Sequence, residues 1–187
     1  MINKEAKLSE HLALPSEAAL SHSSELDGLH LSPHFTLAEL TKTSARTADG
    51  NIPSHVHIEN LRNLCENWLE ELRYSYNVLS CLKPGEDYET SRNVEPIVIN
   101  SGYRSEAVNR AIGGVKGSNH LSGCAVDIRC LGIEQAIRYA AILLDIADGA
   151  QRDYDELLIE RSPKGTYWIH FAVRPKENRR KVRFIQT

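Results

Sequence analysis

The sequence predicts an α+β fold with a largely antiparallel sheet and flanking helices, and three features carry that reading. Apolar residues recur at three and four spacing over 57–76, which marks a buried helix. Ile97-Val98-Ile99 is a β-branched run of the kind that forms strands. Toward the end, the β-prone segments 157–161, 167–173 and 182–185 follow one another with turn chemistry between them, notably Ser162-Pro163-Lys164-Gly165. Helices early and consecutive strands late, with hairpin-length connections, describe antiparallel neighbours rather than crossover units. At 187 residues, 41% hydrophobic and 25% charged, the chain has the composition of one globular domain with appended segments, which excludes a disordered or low-complexity protein.

Residues 1–33 contain Pro15 and Pro33 and only a short amphipathic stretch over 16–26, so they are expected to form a loosely packed extension before a single domain at 34–187. Thr36 as N-cap with Glu39 three residues on reads as a capping box opening a short helix. The long helix presents Ile58, Leu61, Leu64, Cys65, Trp68, Leu69 and Leu72 on one face. Lys83-Pro84-Gly85 then breaks the chain, and a polar loop runs to Pro96. Asn100-Ser101-Gly102 closes the strand at 97–99. Ser105 caps a helix to Ile112, ended by Gly113-Gly114. Residues 124–129 alternate as a strand, and Ile137, Ala140, Ala141 and Leu144 give a helix over 133–147.

The net charge is −3, but residues 174–187 hold six basic side chains against Glu177. This basic segment reads as a solvated, charge-blunted sheet edge, with nucleic acid an unlikely partner. Cys65, Cys81, Cys124 and Cys130 form no C-x-x-C pair, so they are expected to be small buried hydrophobes rather than ligands or a disulfide framework. No apolar run approaches the ~20 residues of a membrane span, and the opening residues lack the continuous apolar stretch of a secretory signal. The expectation is a monomer, cytoplasmic as synthesised, with no membrane partner.

The chemistry concentrates in three places. In a strand at 124–129, Asp127 shares a face with Ala125 and Arg129, and a carboxylate in such apolar surroundings needs a donor, a counter-charge or a metal. His120 lies seven residues upstream across Gly123, which lets the backbone fold the imidazole back toward that strand. In Trp168-Ile169-His170-Phe171-Ala172-Val173 the core face takes Ile169, Phe171 and Val173, leaving His170 on the opposite side with Trp168 as a wall. His120, Asp127 and His170 make three protein ligands, the number that leaves a fourth tetrahedral position for water on one catalytic zinc ion. Hydrolysis also needs a base. A hairpin register that sets Leu158 opposite His170 and Glu160 opposite Trp168 puts Glu160 on the site face, with Asp155 behind it. Arg104, on the loop after the strand at 97–99, can grip a carboxylate or a polarised carbonyl.

As a set, Ser101-Gly102-Tyr103-Arg104-Ser105, then Ser118-Asn119-His120 through Gly123, Ala125 and Asp127, then Trp168-Ile169-His170, resembles the zinc D-alanyl-D-alanine carboxypeptidase and endolysin family, whose fold is shared with hedgehog signalling domains. The likeness covers roughly 35–173 and is nearest to the small phage and bacterial branch. It implies a hedgehog/DD-peptidase-like fold, His120, Asp127 and His170 as zinc ligands, and Arg104 and Ser118 in contact with substrate; Tyr103 and Trp168 are expected to bind substrate beside them. The implied substrate is the peptidoglycan stem peptide, reached by a phage-type delivery route. One position departs from the pattern. Several branches carry the catalytic acid three residues before the last histidine, where this chain has Tyr167, so Glu160 stands as the base on the strand-pairing argument alone. The competing expectation, favoured by Tyr167, is a non-catalytic wall-binding or phage structural module that keeps zinc as a staple.

Overall fold

Side-chain alternation along a few strands divides this molecule into a core side and a working side. The structure, a computed structural model, describes residues 28–187. Five strands, β3 (Ile99–Ser101), β4 (Ala125–Cys130), β5 (Glu156–Arg161), β6 (Tyr167–Ala172) and β7 (Lys181–Gln186), form one sheet in the order β3-β4-β6-β5-β7. On one face Val126, Ile128, Leu157, Ile169 and Phe171 are buried against helices. The opposite face carries Asp127, His170, Glu156 and Glu160, because β4 and β5 flank β6 in the registers Asp127↔His170 and Leu158↔His170. The architecture is α+β, as predicted.

The helical layer centres on one rod. Helix α2 (His55–Leu64) and helix α3 (Glu70–Ser80) are joined by a π turn, Cys65–Leu69, so the predicted helix is longer at both ends and locally widened. Trp68, on that turn, packs its ring on Phe171 at 5.0 Å between centroids, and meets Tyr154 edge-on at 6.5 Å. Since Phe171 and His170 are neighbours on opposite faces of β6, this aromatic packing fixes the strand that presents His170. The remaining helices are α1 (Leu37–Thr41), α4 (Glu106–Ala111) and α5 (Ile133–Gly149). Thr36 caps α1 by accepting from the Glu39 N–H at 3.3 Å, and Ser105 caps α4 by accepting from the Val108 N–H at 3.2 Å. The three cysteines Cys65, Cys124 and Cys130 are buried and Cys81 is half-buried, all as free thiols.

Three expectations need correcting. The domain begins before residue 34: β1 (His30–Ser32) pairs with β2 (Phe35–Thr36), Leu31 is fully buried, and the Leu31 carbonyl accepts from Arg62 Nη1 at 3.1 Å. Pro33 sits in the turn of that hairpin, so it marks a bend and not a domain boundary; the expected helix over 16–26 lies outside the described residues. The strand at 97–99 is displaced to Ile99–Ser101, although Ile97 stays buried. The last strand does not form a hairpin with β6. It crosses the start of β5 and runs parallel to it, with the Lys181 N–H donating to the Asp155 carbonyl at 3.0 Å. The β5–β6 hairpin turns as predicted through Ser162 to Thr166, closed by bonds from the Gly165 N–H to Ser162 and from the Ser162 N–H to Thr166, both 2.9 Å; Gly165 holds φ +84°. Among the described residues no helix is long and apolar enough to cross a membrane.

Leu31→Ala should lower unfolding free energy by about 2–5 kcal/mol in urea melts, the cost of emptying a core position. A loss near zero would mean that the hairpin is an appendage after all.

Candidate metal centre

The site begins with two close backbone approaches. A Cβ on Gly102 would lie 2.3 Å from the Leu40 carbonyl oxygen, and one on Gly123, at φ +69°, would lie 2.5 Å from that of His57. Only glycine fits either place. Gly123 ends the 3₁₀ turn Asn119–Ser122, with its N–H donating to the His120 carbonyl at 3.2 Å. That turn is joined to the loop after β3 in both directions. His120 Nδ1 donates to the Gly102 carbonyl at 2.6 Å, and the Arg104 N–H donates to the His120 carbonyl at 3.1 Å. Buried Asn51 braces the loop, its amide bonding the Thr41 and Tyr103 carbonyls and accepting from the Ser105 N–H.

His120, Asp127 and His170 converge as the sequence predicts. Their nearest donor atoms form a small triangle: His120 Nε2 to Asp127 Oδ1 3.2 Å, His120 Nε2 to His170 Nδ1 3.2 Å, and His170 Nδ1 to Asp127 Oδ1 2.9 Å. Ligand atoms on one face of a tetrahedron around zinc, with bonds near 2.0–2.1 Å, are separated by roughly 3.3 Å. With Nδ1 of His120 committed to Gly102, its Nε2 lone pair faces the triangle. The donor set therefore fits one zinc ion. Arg104 Nη2 bonds the other Asp127 oxygen, while Arg104 Nε donates to Ser101 Oγ at 2.8 Å.

The electrostatics follow from this burial. Desolvation alone would raise the Asp127 pKa, but the two imidazoles hold it far below the usual carboxylate range. Desolvation lowers His120 and keeps it neutral. It acts on His170 in the same direction, but the bond to Asp127 and the neighbouring carboxylate of Glu156 prevail, and His170 is pushed up to about 9.

A cleft of about 780 Å³ opens above the triangle, lined by Arg104, Ser118, Trp168, Glu156, Glu160 and the loop at 112–117 among others. Glu160 lies opposite Trp168, in the expected register. Among the described residues nothing hydrogen-bonds its carboxyl, and burial raises its pKa above the ordinary value. Ser118 has a second task, its Oγ accepting from the His120 N–H at 3.4 Å. Tyr103 is a correction: it is buried and stacks on His57 at 4.9 Å instead of lining the cleft. Its N–H is drawn to the Leu40 carbonyl at 2.7 Å, which turns the ring away from the Arg104 side. Asp155 is another. It is completely buried and takes both Arg179 Nε and Nη2, at 2.7 and 2.6 Å, so it has no freedom to move a proton. The basic segment is accordingly more than a solvated edge, since Arg179 and Lys181 reach the cleft wall. Glu156 and Asn119 had no expected role, although the period-two argument that selected Glu160 applies equally to Glu156, two pleats along the same face.

A buried pair of imidazoles sharing a carboxylate at the floor of a cleft, on the open face of an α+β sheet, is the arrangement of a metallohydrolase. A family model described as Peptidase M15 matches residues 33–144, more than half of the chain, and the chain belongs to that family. It is a zinc metallopeptidase. The match contains His120 and Asp127, while His170, Glu156 and Glu160 lie beyond its end. No curated protein matches the chain.

In metal-free protein, His170 is protonated more readily folded than unfolded, so its contribution to stability is complete below about pH 6.5 and is lost as pH rises through about 9. Urea midpoints of chelator-treated protein should fall over that window, and His170→Ala should flatten the fall. Zinc must displace the same proton, so its affinity should rise across the window.

Proposed function

We propose that this zinc peptidase hydrolyses peptide bonds in the peptidoglycan stem peptide, as a D-Ala-D-Ala carboxypeptidase or an endolysin-like endopeptidase. His120, Asp127 and His170 hold the ion, and Glu160 is the general base. The observation that carries this reading is the contrast between two carboxylates on one face of β5. Glu156 is tied to Lys181 Nζ at 2.8 Å and drawn down to about 2, chiefly by its interaction with His170. Glu160 is unpaired and raised. The second, with no cation holding it as an anion, is the better placed to accept a proton at the cleft.

Bound zinc supplies Lewis acidity, polarising a carbonyl and lowering the pKa of water from 15.7 toward about 7. The protein groups do the rest. Glu160 takes the proton of the attacking water and returns it to the leaving amine. Arg104 holds Asp127 with Nη2 and lines the cleft, where its guanidinium can bond a substrate carboxylate or the developing oxyanion. Trp168 and Leu158 supply an apolar wall beside Glu160, and Ser118 lines the same cleft. The resemblance of the Ser101–Ser105 and Ser118–Asp127 segments to cell-wall peptidases supports the choice of stem peptide.

Purified peptidoglycan digested with zinc-loaded protein should release stem-peptide fragments identifiable by mass spectrometry. An intact sacculus alongside cleavage of unrelated peptides would refute the substrate. His120→Ala should lose zinc and cleavage together. Glu160→Gln should keep zinc and lower kcat by about 10²–10⁴-fold, the usual worth of a positioned proton acceptor; an undiminished rate would exclude Glu160 as the base.

A further inference from the structure

Glu156, in the wall of the cleft, meets both His170 and the turn that carries His120. Its Oε2 lies 3.6 Å from His170 Nε2, the ring nitrogen pointing away from the donor triangle. The same oxygen accepts from Asn119 Nδ2 at 3.2 Å, and Asn119 immediately precedes His120 in the 3₁₀ turn. Asn119 Nδ2 also donates to Asp155 Oδ2 at 2.8 Å, which ties the turn to the start of β5. From the far side Oε1 takes Lys181 Nζ at 2.8 Å and Arg179 Nη2 at 3.1 Å. The backbone fixes its place: Glu156 pairs with Ala172 on β6 and with Lys181 on β7, while His170 stands one pleat away.

We propose that Glu156 is a positioning residue for the metal centre. As the anion facing His170 Nε2, it favours the tautomer that carries its proton there and leaves the Nδ1 lone pair toward Asp127 and His120, and through Asn119 it steadies the turn that carries His120. An imidazole that donates through one nitrogen offers the other as a neutral ligand, and a carboxylate partner both orients the ring and raises its basicity. Lys181 and Arg179 hold the carboxylate at that spot, giving the segment beyond the family match a task in the site. This inference rests on the ligand assignment made above.

Zinc affinity measured by chelator competition separates the two claims. Wild type should bind one zinc and His120→Ala none; zinc retained at full strength by folded His120→Ala would overturn the ligand assignment itself. With that assignment standing, Glu156→Ala should weaken zinc binding about 10–100-fold, while Glu156→Gln, whose amide oxygen still accepts, should keep most of the affinity. Folded Glu156→Ala that binds zinc as tightly as wild type would overturn the role of Glu156. Long-range ¹⁵N–¹H spectra of zinc-loaded wild type give an answer that needs no variant to fold. Protonation of His170 at Nε2 supports the proposal, and protonation at Nδ1 refutes it.

Discussion

The Asp127 carboxylate is the constraint from which the rest of the site follows. A buried carboxylate must have its charge matched and its lone pairs satisfied, because leaving it bare costs several kcal/mol. Here one oxygen takes the Arg104 guanidinium and the other is shared by two imidazoles. Those partners come from the loop after β3, the 3₁₀ turn and β6. Satisfying a single side chain therefore dictates where three segments, far apart in sequence, must meet. The exchange of bonds between Gly102, His120 and Arg104 then locks the two loops to each other, and two glycines allow the backbones to come that close.

A second division of labour runs along β5. Two glutamates four residues apart face the same cleft, yet their surroundings drive them in opposite directions. Cations and an imidazole around Glu156 favour its anion, whereas Glu160, half-buried and with no hydrogen-bond partner among the described residues, has its pKa raised. Environment rather than residue type separates the two. The position three before His170, Tyr167, is on the core side of β6, whereas Glu160 on the neighbouring strand faces the cleft.

Much of this was legible because strand alternation is a strict rule. Counting in twos puts Asp127 and His170 each on a definite face of its strand, and the β5–β6 hairpin register sets Glu160 on the face of His170. The helix at 57–76 was legible from its apolar period, but the π turn within it leaves the spacing of Cys65, Trp68 and Leu69 unchanged. Loops were harder. Tyr103 stands beside Arg104 in the motif, yet its direction depends on a backbone bond to Leu40, sixty-three positions earlier. Nothing local reveals that Asn51 braces that loop across more than fifty positions, and the pairing of Arg179 with Asp155 depends on how the last strand runs beside β5. Leu31 shows the same limit at the other end: a hairpin of two short strands carries too little period to be counted, and Pro33 within it imitates a boundary.

The tight turn at Ser162 to Thr166 has a reach beyond its own corner of the molecule. Gly165 occupies a left-handed conformation that sets the number of residues between β5 and β6, and that number fixes whether each position points up or down. An odd insertion or deletion there would invert the parity of one strand against the other. Glu160 and Glu156 would leave the cleft together while the hydrophobic side lost Leu157 and Ile159. A solvent-facing bend with no atom near the ion thus exercises a veto over the chemistry.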